Sequence, residues 1–152
     1  MARIMSRNRI IYKKILLAVP RSRVGLASRR RIMVVDDEYD IVRIVQRYLE
    51  RWGFEVDTFT NPRYALEIFR QNPDRYSVIL TDINMPEMRG TALAKLMQKA
   101  KPDVKIVIMT AYEIEPQDLS INLPTITHDE ILRKPFSLLS VCEAIKKQLQ
   151  TA

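Results

Sequence analysis

Five side chains in this 152-residue chain could act together on a phosphoryl group: the adjacent carboxylates of Asp36 and Asp37, the carboxylate of Asp82, the hydroxyl of Thr110 and the ammonium of Lys134. Carboxylates held within a few ångströms of one another repel, which raises a pKa unless a cation sits among them. A cluster offering only oxygen ligands, and few of them, suits Mg²⁺, which keeps several waters and accepts phosphate oxygens to complete its octahedron. Phosphoryl transfer needs mainly positioning and neutralisation of the equatorial oxygens, and a divalent cation plus an ammonium provide two such charges. Asp82 is the nucleophile candidate, because a carboxylate needs no deprotonation at neutral pH.

These residues are far apart in sequence, so their meeting depends on the elements that carry them. The run Ile32-Met33-Val34-Val35 is continuously apolar, as expected of a strand covered on both faces, and stops at Asp36-Asp37-Glu38. Ile41, Val45, Tyr48 and Trp52 fall on one stripe of a helix that Gly53 ends. Residues 54–59 alternate with period two and read as an edge strand, and Asn61-Pro62 then supplies a cap and an N1 proline for a helix burying Ala65, Leu66 and Phe69. A third strand at 77–81 ends at Asp82. A loop through Met85-Pro86 and Gly90 leads to a helix at about 91–100, and a fourth strand at 104–109 ends at Thr110. Pro116 and Pro124 bracket a segment in which any helix is short and irregular. A short fifth strand at about 130–133 ends at Lys134-Pro135, and Ser137 can cap a last helix with Leu138, Val141, Ile145 and Leu149 inward.

Five strands alternating with five helical segments, the fourth irregular, predict an α/β doubly wound parallel sheet, since right-handed crossovers place helices on both faces. Ligands of such sheets bind at the carboxyl ends of the strands. Asp36, Asp37, Asp82, Thr110 and Lys134 all stand at those ends, so the alternation itself predicts that they converge.

At this point the sequence resembles the receiver domains of two-component response regulators. The matching residues are Asp36-Asp37 after a hydrophobic strand, the block Asp82-Ile83-Asn84-Met85-Pro86, Gly90, Thr110-Ala111 and Lys134-Pro135-Phe136. The match covers about 31–150 in order and spacing, and the compound motif is far more specific than any part of it. The resemblance implies a flavodoxin-like strand order 2-1-3-4-5 and phosphorylation of Asp82 by a sensor histidine kinase or a histidine phosphotransfer protein. It implies that Asp37, Asp82 and the backbone carbonyl of Asn84 bind Mg²⁺ directly, with Asp36 reaching it through water. Thr110 would then hydrogen-bond the phosphoryl group, Lys134 would pair with it, and the Lys134-Pro135 bond would be cis. Ile131 stands where the family usually has a Tyr or Phe, and Tyr112 where a side chain often tunes dephosphorylation.

Composition bounds the rest. Apolar residues make up 47% and charged residues 28%, the balance of a globular protein, and no window of 18 uninterrupted apolar residues exists. The lone Cys142 excludes an internal disulfide and fits a reducing cytoplasm. Residues 1–30 hold nine Lys/Arg and no acid, so the net charge of +7 belongs to that segment and the remainder is slightly acidic. We read 1–30 as a basic, disordered extension and 31–150 as the receiver domain. His128, Cys142, Trp52 and the methionines read as loop or packing residues.

The expected function is a single-domain response regulator or phosphorelay intermediate that switches a downstream protein partner, and not an enzyme. The rival is a receiver-fold binding protein using the basic tail on nucleic acid or an anionic membrane. A phosphatase with an aspartyl intermediate fits less well, since such enzymes usually carry a second aspartate where this chain has Asn84.

Overall fold

The computed structural model describes residues 30–111 and 130–150. Ile32 through Val35 and Val78 through Leu80 have no exposed surface, so the strands that carry them need cover on both faces. The elements that provide it alternate along the chain: β1 (Arg31–Val35), α1 (Tyr39–Arg51), β2 (Glu55–Phe59), α2 (Pro62–Gln71), β3 (Val78–Asp82), α3 (Gly90–Ala100), β4 (Lys105–Thr110), β5 (Ile131–Arg133) and α4 (Leu138–Gln150). A single 3₁₀ turn, Pro73–Arg75, precedes β3. All pairings are parallel and the order is β2-β1-β3-β4-β5, the doubly wound arrangement expected. Four α-helices lie among the described residues. The irregular helix expected between Pro116 and Pro124 falls outside them, as do Tyr112 and His128.

The pleat separates two cores. Ile32, Val34 and Leu80 point to one face, where α1 and α4 contribute Val45, Leu49, Val141 and Ile145. Met33, Val35 and Ile79 point to the other, against Phe69 of α2 and Leu93 and Met97 of α3. Successive strand residues serve opposite faces, which is why these strands read as unbroken apolar runs.

Local chemistry sets the helix ends. Asn61 accepts the backbone N–H groups of Arg63 at 2.9 Å and Tyr64 at 3.1 Å, with Pro62 at the first helical position, so α2 starts as expected. Gly53 takes φ 88° just past α1, and its N–H donates to the Glu50 carbonyl at 3.0 Å. Ser137 accepts the Ser140 N–H at 3.0 Å at the head of α4.

Two expectations shift by about one position. The buried face of α1 is Val42, Val45, Tyr48 and Leu49, while Ile41 and Trp52 are only partly buried. Trp52 has left the helix as its C-cap and lies under the Lys146 ammonium, 3.8 Å from the ring centre. The third and fourth strands also each run one residue further than their apolar stretches, because pairing continues through Asp82 opposite Met109. Asp82 and Thr110 are therefore the last residues of their strands.

Candidate functional site

Asp36 follows β1 and Asp82 ends β3, and these strands are neighbours, so the two carboxylates stand side by side at one edge of the sheet. The Asp36 N–H still donates to the Phe59 carbonyl at 3.1 Å, which holds this residue in line with the sheet. Carboxylate oxygens of Asp36, Asp37 and Asp82 lie within 4.8 Å of one another. Asp36 is fully buried and Asp82 is 5% exposed, whereas Asp37 faces solvent. Thr110 is buried at the end of β4, and its carbonyl accepts the Lys134 N–H at 2.7 Å. The cluster expected from the strand ends is therefore assembled. Asn84 lies two residues beyond Asp82, exposed in the loop after β3.

Lys134 carries its charge into this cluster. Its Nζ lies 2.8 Å from Asp36 Oδ2, 3.4 Å from Glu38 Oε1 and 3.7 Å from Asp82 Oδ2. The other oxygen of Asp36, Oδ1, accepts the backbone N–H of Glu38 at 2.9 Å in an Asx-type turn. One buried carboxylate thus fixes both the lysine and the start of α1. Burial pushes the Asp82 carboxyl up to about 6, reinforced by the charge of Asp36 and opposed by Lys134. Burial also raises Asp36, against the hydrogen bonds from Lys134 and the Glu38 N–H. For Lys134 burial acts downward, but its bond to Asp36 and the charges of Asp36, Asp82 and Glu38 carry it above its ordinary value.

The loop after Asp82 is held tightly. The Gly90 N–H donates to the Ile83 carbonyl at 2.8 Å, and a Cβ on Gly90 would lie 1.9 Å from the Asp82 carbonyl oxygen. Only glycine lets α3 start this close to the nucleophile candidate. Glu87 has φ 70° at the centre of a turn closed by the Met88 N–H and the Pro86 carbonyl at 2.8 Å. The Lys134-Pro135 bond is cis. Ile131, at the position where an aromatic was noted as usual, packs partly buried against the α2/α3 core.

One contributor, Glu38, and the steric role of another, Gly90, were not read from sequence. Glu38 was visible only as the third acid of a run, and nothing in its spacing indicated contact with Lys134. Gly90 was noted for its place in the motif, whereas its steric role could have been read from a glycine opening a helix, where alanine is otherwise favoured.

The residues present fit Mg²⁺. Three carboxylates offer a hard, oxygen-only donor set, and the Asp82 carboxyl, raised by burial and then by the charge of Asp36, is one whose ionised form a cation would favour. Residues 32–146 match the family "Response regulator receiver domain". The chain is 33% identical over 123 residues to the response regulator receiver protein CpdR of Brucella abortus, covering 81% of this chain and 99% of that one. It is 35% identical over 106 residues to the response regulator SaeR of Staphylococcus aureus, covering 70% of this chain and 44% of SaeR. The structure of the response regulator TrrA from Thermotoga maritima, in complex with Mg²⁺-BeF, superposes with a TM-score of 0.66 at 34% identity, covering 78% of this chain and 98% of that one. The fold, the acidic pocket at the strand ends and these likenesses agree: the chain belongs to the response regulator receiver family, the phosphoryl-accepting domains of two-component signalling.

Proposed function

We propose that Asp82 is the phosphoacceptor, taking the phosphoryl group from a histidine of a sensor kinase or phosphotransfer protein. The observation that carries this reading is the meeting of three carboxylates and the Lys134 ammonium at the end of β3. An Asp82 carboxylate oxygen attacks phosphorus, the new O–P bond forms as the N–P bond of phosphohistidine breaks, and the electron pair leaves on the imidazole nitrogen, which takes up a proton. Asp37, Asp82 and the Asn84 carbonyl would hold Mg²⁺, with Asp36 supporting it through water. Bound there, Mg²⁺ supplies positive charge to the phosphoryl oxygens. Lys134, already 3.7 Å from Asp82, pairs with the transferred group, and the Thr110 hydroxyl hydrogen-bonds it.

The phosphorylated form then favours one arrangement of Thr110 and the chain after it, and a downstream protein reads that population shift. The chain acts as a receiver switch or phosphorelay intermediate in the cytoplasm, and not as an enzyme turning over a separate substrate. No helix among the described residues is long and apolar enough to cross a membrane. Incubation with acetyl phosphate, followed by intact-mass measurement, tests the reading. One added phosphate that requires Mg²⁺ is expected in the wild type and none in Asp82→Ala; the same adduct in both proteins would refute it.

A second reading concerns residues 1–30, whose nine basic and no acidic residues would favour an anionic surface such as a membrane or nucleic acid. Deleting residues 1–29 should abolish sedimentation with anionic vesicles or retention of duplex DNA while leaving phosphorylation intact. Undiminished binding to both surfaces after the deletion would end this reading.

A further inference from the structure

We infer that Glu38 is a positioning residue that holds Lys134 back from the phosphoryl site and so opposes the phosphorylated state. The inference rests on the assignment of Asp82 as phosphoacceptor and extends it to a residue outside the cluster of three aspartates. Besides Asp36, Lys134 is shared by two carboxylates of unlike surroundings. Glu38, with a 55% exposed side chain, lies 3.4 Å from Nζ, and Asp82, with a 7% exposed side chain, lies 3.7 Å from it. Asp36, fully buried and 2.8 Å from Nζ, makes the shortest of the three contacts and anchors the ammonium.

The placement of Glu38 is built in. Its backbone N–H is held by Asp36 Oδ1 at 2.9 Å, and its carbonyl accepts the N–H groups of Ile41 at 3.0 Å and Val42 at 3.3 Å, opening α1. It is the N-cap residue of α1 yet makes no side-chain cap bond, so its carboxylate is spent on Lys134. An ammonium has three protons to donate. Two are used on Asp36 and Glu38, and bringing the third onto a phosphoryl group on Asp82, now 3.7 Å away, would shift Nζ at the expense of the exposed Glu38 contact, the one most readily lengthened. While Glu38 keeps that contact, it draws the ammonium outward against the phosphoryl group.

The test uses the full chain, saturating Mg²⁺ and beryllofluoride as the phosphoryl analogue, with affinity read by calorimetry. Glu38→Gln should tighten beryllofluoride binding about two- to fivefold, the range expected for releasing a half-exposed ion pair. In a Lys134→Ala background the same substitution should change affinity less than about twofold, since the competitor has gone. Weaker or unchanged binding in Glu38→Gln would overturn the inference while leaving Asp82 as acceptor. An undiminished effect without Lys134 would also overturn it, because plain charge repulsion would then suffice. Failure of the wild type to bind beryllofluoride at all would sink the phosphoacceptor assignment and this inference with it.

Discussion

Asp82 is held in two conflicting conditions: as the proposed nucleophile it must be ionised, yet burial and the neighbouring Asp36 push its carboxyl up to about 6. A carboxyl raised in the folded state above its ordinary value of 3.8 binds more protons folded than unfolded. Its contribution to stability is therefore fully present below about 3.8 and lost as pH rises through about 6. Without divalent cation, Asp82→Asn should raise stability at pH 7.5 by roughly 2 kcal/mol, with the gain shrinking toward pH 4. Thermal melts of both proteins across this range check it; equal melting temperatures at pH 7.5 would contradict the strain of ionising this buried carboxyl beside Asp36. At this scale the aspartates, Thr110 and Lys134 were legible because each follows an apolar run whose end the sheet topology brings to one edge. The contact of Glu38 with Lys134 was not, because it spans 96 positions and depends on side-chain direction, which no spacing encodes.

At the scale of elements, the approach of α3 to β3 is the tightest constraint on the site. Gly90→Ala places a better helix former at the head of α3, but its Cβ would lie 1.9 Å from the Asp82 carbonyl oxygen, so backbone must move. The variant should lose at least about 2 kcal/mol of stability and accept phosphate more slowly, measured by denaturant unfolding and by adduct formation with acetyl phosphate. A stability gain would show that the helix start is not pinned there. Phe69, without exposed surface on α2 and stacked on Tyr76 with ring centres 6.0 Å apart, should cost about 3–5 kcal/mol when replaced by alanine, as a void opens in that core. The strands and two helix starts were legible from apolar runs, from Asn61-Pro62 and from Ser137. The one-position shifts of β3 and β4 were not, because backbone pairing continues into Asp82 and Thr110 regardless of side-chain polarity. The 3₁₀ turn at Pro73–Arg75 also went unread, since Asn72-Pro73 signals only where α2 stops.

For the whole molecule, a doubly wound sheet turns sequence order into proximity: Asp36, Asp82, Thr110 and Lys134 come from four strand ends along one edge. Mg²⁺ bound by the folded cluster and not by the unfolded chain should stabilise the whole domain, by about 2.7 kcal/mol at a hundredfold excess over the dissociation constant. That shift should vanish in Asp37→Ala, read as the midpoint of thermal unfolding with and without the ion. The central assignment is tested most directly by locating the phosphate. After treatment with acetyl phosphate and Mg²⁺, borohydride reduces an aspartyl phosphate to homoserine, and peptide mass spectrometry reads its position. Homoserine at position 82 and nowhere else is the expected result; homoserine at Asp36 or Asp37, or none in a folded, Mg²⁺-loaded protein, would contradict it.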